Sequence, residues 1–216
     1  MSYEFICIDA LFVVLKITKN DKNYKLCFYG SIQKGKIMFA IDNTIMLLID
    51  VQGQLAQLMH EREKFFKSCE ILIQGMKILG VPIIWMEQIP KNLGPTTESL
   101  SKYLTDQTPI EKFSFSCCGE PRFMDEFKKA GRTQVLLTGI ETHICVFQTG
   151  YDLIQQGCEI QVVADCVSSR TKENKKIGIK RIVQSGGQAS CVEMVFFELL
   201  RAAQGDKFKQ IIKLIK

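Results

Sequence analysis

The chain has 216 residues, 46% of them hydrophobic and 24% charged, with a formal net charge of +5. That length fits one domain of ordinary size, able to bury roughly 70% of its unfolded surface without cross-links, and the composition excludes a disordered, collagenous or membrane-embedded protein. Residues 1–37 hold six lysines against Glu4, Asp9 and Asp21, so +3 of the charge lies there and +2 is left for residues 38–216; with no basic block interleaved with aromatics, no nucleic-acid partner is expected.

In chain order, residues 5–17 and 24–32 read as two β-favouring pieces joined by the polar turn 19–23. The apolar part of the first is broken by Asp9, follows Glu4 and lacks a small-residue cleavage site, so it is not read as a signal peptide. Residues 1–37 are taken as an N-terminal extension, either an appended hairpin or an upstream piece of an over-long gene model, and residues 38–216 as the domain proper.

From Met38 onward strands and helices alternate. Residues 44–49 form a continuous apolar run, a strand buried on both faces, and 61–79 carry apolar residues at helical spacing up to Gly80. Residues 81–86 are a second strand. Residues 88–109 form a Pro-, Gly- and Thr-rich loop with one helical turn around 98–104, and a loop of that length usually serves function. Then come a helix at 121–130 with Pro121 in its first turn, a strand at 134–137, a helix at 142–156 closed by Gly157, and a strand at 159–164. Helices at 172–184 and 191–201 flank a short piece at 187–190. The alternation implies an α/β fold with a mostly parallel sheet covered on both faces. The basic amphipathic stretch 207–216 suits a terminal helix packing Phe208, Ile211, Ile212 and Ile215 on its own domain or a second subunit better than a membrane-surface anchor. Phe196 and Phe197 add apolar content beyond the core, which fits a homo-oligomer.

Nine cysteines, an odd number without any C-x-x-C pair, point to a reducing compartment, the cytoplasm. His60 and His143 have no zinc-ligand spacing, so no metal site is expected. No G-x-G-x-x-G, P-loop or G-x-S-x-G motif occurs, and no cofactor is expected.

Ligands of such sheets bind outside the carboxyl ends of the strands. Asp50 closes the first strand of the domain, where partial desolvation favours its neutral form and makes it a proton acceptor, although it also suits a turn cap. Lys112 follows the short extended stretch 109–111; the alternative is a solvated surface lysine. Cys145 lies one turn into a predicted helix, where free N–H groups favour a thiolate; the alternative is a buried apolar cysteine. Together a thiol, a base and a cation make a working nucleophilic set. His143, two residues from Cys145, does not face it on a helix, and Asp165 reads as a structural cap.

At these residues the sequence resembles a known family. Residues 44–52 (TIMLLIDVQ), Lys112 with Phe115 and Ser116, and residues 139–146 (GIETHICV) are similar to three signature segments of the isochorismatase-like cysteine hydrolases, the superfamily of nicotinamidase and N-carbamoylsarcosine amidohydrolase. The resemblance covers about residues 38–204. Residues 87–96 (EQIPKNLGPT) and 184–188 (QSGGQ) resemble most the branch called isochorismatase domain-containing proteins and their bacterial relatives. It implies a three-layer αβα, doubly wound fold of Rossmann-like topology. Cys145 would be the nucleophile, Asp50 its base, and Lys112 the cation that orients Asp50 and stabilises the thiolate. The Ile140–Glu141 peptide would be cis, with the Glu141 and Cys145 N–H groups forming an oxyanion hole.

The reaction implied is acyl transfer on a small amide or carbamoyl compound through a thioester; the alternative is a non-catalytic binding or scaffold protein on the same fold. Nicotinamidases carry metal-binding histidines after the second strand, where this chain has Glu87-Gln88-Ile89. Leu55, Gln88 and Phe115 are expected to line the substrate pocket, and the expected partner is a small molecule, with no membrane.

Overall fold

A computed structural model describes residues 38–216 in full and, within the first 37, the backbone of residues 3–8, 11–20 and 23–29. The chain divides into two compact units, Met1–Met38 and Phe39–Lys216.

The first unit holds strands β1 (Tyr3–Ile8), β2 (Leu11–Asn20) and β3 (Asn23–Tyr29), paired antiparallel in that order. The single strand expected over 5–17 is thus two, paired from Ile8 opposite Leu11 outward. Asp9, a turn-favouring residue between two apolar runs, was the cue. The end of the second expected piece, 30–32, lies outside the described residues.

In the second unit, every residue of β4 (Thr44–Ile49) is buried, and its side chains split by parity. Met46 and Leu48 join one core cluster; Ile45, Leu47 and Ile49 join the other. This period of two is what a strand between two helical layers requires. The chain continues through α1 (Gly53–Gln57) and α2 (Arg62–Leu79), which Gly80 ends in a left-handed conformation, to β5 (Ile83–Gln88). Two short helices, α3 (Pro90–Leu93) and α4 (Glu98–Ser101), lead to β6 (Ile110–Lys112). A 3₁₀ turn at Cys117–Gly119 and α5 (Pro121–Ala130) return the chain to β7 (Gln134–Ile140) beside β4. A π turn at Thr142–Val146 opens α6 (Phe147–Gln155), and β8 (Glu159–Ser168), α7 (Lys172–Gln184), β9 (Gln188–Ser190), α8 (Val192–Leu200) and α9 (Gly205–Ile215) complete it.

The sheet order is β6-β5-β4-β7-β8-β9, and each neighbouring pair is parallel. The chain therefore starts at the centre, walks to one edge, and returns to walk to the other. The expected three-layer, doubly wound α/β fold is what forms: α2, α8 and α9 cover one face, and α5, α6 and α7 the other. The reversal falls between β4 and β7, where ligands of such sheets bind.

Several boundaries differ from expectation for one reason. Strand β5 runs two residues past Met86 because Glu87 and Gln88 pair with Glu111 and Lys112 of β6. Strand β8 runs past Ala164 to Ser168, with a shift of register against β7 between Leu137 and Gly139. Each continuation opens on a polar residue, Glu87 or Asp165, so hydropathy ended the run there although Cys166 and Val167 beyond Asp165 are buried. Asp165, in the shifted stretch, accepts from Val192 N at 3.1 and 3.2 Å and caps α8. Phe196 is fully buried, and Phe197 is 41% exposed. Ile211 of α9 is buried in the α2-side core. Among the described residues no helix is long and apolar enough to cross a membrane.

Candidate active site

Asp50 follows five buried apolar residues of β4 and turns the chain sharply, with φ of +54°. Aspartate tolerates this left-handed conformation better than most side chains. Its N–H still donates to Met86 O at 3.1 Å, and its carbonyl accepts from Gln52 N at 2.9 Å. The carboxylate is 2% exposed. Lys112, at the end of β6, is fully buried and donates from Nζ to Asp50 Oδ2 at 2.7 Å. The same ammonium donates to Gln88 Oε1 at 2.6 Å and to the carbonyls of Ser114 and Phe115 at 3.1 and 3.2 Å. A buried ammonium needs such acceptors to offset its lost hydration. The solvated-lysine alternative is therefore set aside.

Asp50 Oδ1 is buried and accepts no hydrogen bond that meets ordinary geometric limits. Its neighbour is the Cys145 thiol, close enough for each group to shift the other's titration. Burial pushes the Asp50 carboxyl above its usual range, and Lys112 opposes that rise. Burial likewise pushes the Cys145 thiol up to about 12; the Asp50 charge adds to the rise and Lys112 opposes it. This corrects the expectation of a resting thiolate. Cys145 is 8% exposed and sits in the π turn rather than in the first turn of an α-helix, so burial outweighs the end of the helix dipole.

The turn that carries Cys145 is fixed from three sides. The Ile140–Glu141 peptide is cis. Thr142 Oγ1 donates to Ser168 O at 2.8 Å, and His143 Nδ1 lies 3.0 Å from Ser169 Oγ, so the imidazole is engaged with β8's end. Glu141, buried, accepts at Oε2 from Arg170 N at 3.0 Å and Arg170 Nε at 3.2 Å. Gly178 of α7 presses on the turn from the other side; a Cβ there would stand 2.7 Å from Thr142 C and O.

The segment after β6 is fastened too. Ser116 Oγ donates to Asp152 Oδ2 at 2.6 Å, and Cys117 N to Thr149 Oγ1 at 3.0 Å, tying it to α6. Phe113 and Phe115 are 77% and 57% exposed. Leu55, expected in the pocket, is half-buried against the α2-side core. Gln88, expected to face a ligand, is engaged at both ends of its amide: Oε1 on Lys112, and Nε2 donating to Phe113 O at 2.8 Å. Sequence reasoning missed Gln52, whose fully buried amide accepts from Gln88 N at 2.7 Å and donates to Gln88 O at 3.0 Å and Gly94 O at 2.7 Å. It also missed Glu87, which accepts from both Thr96 N and Thr96 Oγ1 at 2.6 Å and folds the loop back on β5. The signal available was a polar side chain within three residues of a buried strand's end.

Among the described residues no group of three or more His, Cys, Asp or Glu side chains is placed to hold a metal ion. A thiol beside a carboxylate with an open lone pair, itself tied to a buried ammonium, is instead suited to proton transfer coupled to attack by sulfur.

The comparisons with known proteins bear on the family and the fold. The family model described as isochorismatase domain matches residues 44–194. The chain is 34% identical over 179 residues to a Phytophthora sojae protein, the secreted isochorismatase effector Isc1, covering 81% of this chain and 85% of that one. It is 35% identical over 173 residues to isochorismatase domain-containing protein 2 of Danio rerio, covering 80% and 86%. Among solved structures, the MAR1 ribonuclease of Caenorhabditis elegans superposes with a TM-score of 0.78 at 34% identity, covering 83% of this chain and 92% of that one. By the match over most of its length and by the level of identity to these relatives, the chain belongs to the isochorismatase family.

Proposed function

We propose that the protein is a cysteine hydrolase that cleaves the C–N bond of a small amide or carbamoyl compound, with Cys145 as nucleophile. The observation that carries the reading is the buried Asp50–Lys112 pair at 2.7 Å, with Asp50 Oδ1 left unpartnered beside the Cys145 thiol. Membership of the isochorismatase family supports the reaction class.

With its thiol neutral at rest, Cys145 attacks as its proton passes to Asp50. The S–C bond forms, and the carbonyl π electrons move to oxygen, where the N–H groups of Glu141 and Cys145 are assigned to hold the charge. Collapse breaks the C–N bond, and Asp50 returns the proton to the leaving nitrogen. Water then attacks the thioester, gives a proton to Asp50, and the departing sulfur recovers it. The sum is amide plus water to acid plus amine. Burial makes Asp50 a willing proton acceptor, and Lys112 opposes that rise. The seven cysteines of residues 38–216 are all free thiols, which supports a reducing compartment such as the cytoplasm.

The test is release of ammonia or amine across a panel of small amides and carbamoyl compounds, with wild type and Cys145→Ala side by side. Turnover by wild type and a loss of at least ~10³ in the variant is expected, in the range seen when a nucleophile is removed. Turnover retained by Cys145→Ala would end the reading. The likeness to the Caenorhabditis elegans ribonuclease raises RNA cleavage as a second reading. A labelled RNA run beside the panel tests it, and cleavage dependent on Cys145 would favour it over amide hydrolysis.

A further inference from the structure

Lys112 lies on the outermost strand of its side of the sheet, and Asp50 two strands away, just past the end of β4. What sets the distance between them is a closed ring of hydrogen bonds. Asp50 Oδ2 accepts from Lys112 Nζ at 2.7 Å, and Lys112 Nζ donates to Gln88 Oε1 at 2.6 Å. Gln88 N donates to Gln52 Oε1 at 2.7 Å, and Gln52 N donates to Asp50 O at 2.9 Å. All four residues are buried, three of them 2% exposed or less, and Gln88 8%. Three strand ends, those of β4, β5 and β6, are therefore locked in one register by side-chain amides and an ion pair.

From this ring we infer that Gln88, pinned by Gln52, is a positioning residue that holds the Lys112 ammonium against Asp50, within electrostatic reach of the Cys145 thiol. The inference deepens the hydrolase reading and rests on it for its functional meaning. Lys112 has four acceptors for three protons, two of them carbonyls of Ser114 and Phe115 that lie on the far side of the lysine in sequence. Among the two side-chain acceptors, only Gln88 is neutral. A neutral amide can hold the ammonium without competing for its charge, so the field of Lys112 stays directed at Asp50 and Cys145. Removing that acceptor leaves the ammonium to Asp50 and the two loop carbonyls alone, which loosens its placement. Its opposing influence on the thiol then weakens.

The experiment uses the full chain and the small alkylating agent iodoacetamide, with the extent of modification at each cysteine read by peptide mass spectrometry between pH 7 and 10. Gln88→Met is expected to slow alkylation of Cys145 about tenfold at a given pH, the equivalent of one unit in the thiol's titration. Half-buried Cys191, outside the ring, serves as control and keeps its rate. In a Lys112→Met background the same substitution changes Cys145 less than twofold, because the residue acts through the ammonium. Gln52→Met, which touches the backbone of Gln88 and not Lys112, gives a smaller slowing of the same sign and carries the test should Gln88→Met not fold. An unchanged Cys145 rate overturns the inference. So does a tenfold slowing that persists without Lys112, which would mean that Gln88 merely anchors its own loop. Because no substrate is needed, the outcome is separable from the amide panel: a panel that fails with the slowing intact removes the hydrolase reading and leaves the ring.

Discussion

At the scale of single residues, Asp50 and Lys112 pull the Cys145 thiol in opposite directions, and this gives a prediction with two signs. The carboxylate raises the thiol's titration and the ammonium lowers it. Asp50→Asn is therefore expected to move the pH–rate profile of Cys145 alkylation to lower pH, and Lys112→Met to higher pH. Turnover is lost in both. Lys112→Met also strands a buried carboxylate, at a cost of about 3–5 kcal/mol in unfolding free energy by chemical denaturation. Shifts of the same sign would refute the assigned geometry. Asp50 was legible in the sequence because it stands at the end of a buried run; Lys112, after an exposed Glu111, and Cys145, five residues past β7, were legible only as parts of one working set with it. What sequence could not show is how deeply Cys145 is enclosed. A thiol 8% exposed and pushed up to about 12 is not the first to meet a general electrophile; the half-buried Cys118, Cys158 and Cys191 are easier to reach.

At the scale of elements, apolar runs and caps predicted β4, α5 and α7 to the residue, since their ends coincide with a change in hydropathy or with Pro121 and Gly131. They failed where polar residues continue a strand, at Glu87 and Gln88, because burial there is made tolerable by partners distant in sequence. The π turn was read as ordinary helix for a similar reason: its geometry depends on the loop after β8 and on the backbone of α7. Gly178 makes that dependence measurable. Its missing Cβ lets α7 approach Thr142 and His143, so Gly178→Ala is expected to lower stability by about 1–3 kcal/mol, the usual cost of overpacking. Because the displaced element carries Cys145, turnover falls more than stability alone explains. A variant as active and as stable as wild type would contradict this packing.

At the scale of the whole molecule, the strand order brings the ends of β4, β6 and β7 to one rim; the strand–helix alternation showed a mostly parallel sheet covered on both faces, and the doubly wound order came from the family resemblance. Contacts across the rim were legible from neither. The buried thiols also give the molecule a pH limit. Burial pushes Cys118 up to about 11 and Cys145 up to about 12 from an ordinary 9.0. Both values are raised by folding, so the stability they contribute is full below pH 9 and is lost as pH climbs through 11–12. Thermal unfolding is expected at falling temperature above pH 9, with a shallower fall in a Cys118→Ser/Cys145→Ser variant; equal slopes would assign the fall to other groups.

The central claim is that sulfur, carboxylate and ammonium act together on a carbonyl. Its most direct test is acid quenching during turnover of an active amide, followed by peptide mass spectrometry. The account predicts the substrate's acyl group on the peptide bearing Cys145, accumulating in wild type and absent in Asp50→Asn. Turnover with no acyl adduct on that peptide, or with the adduct on another residue, would contradict it.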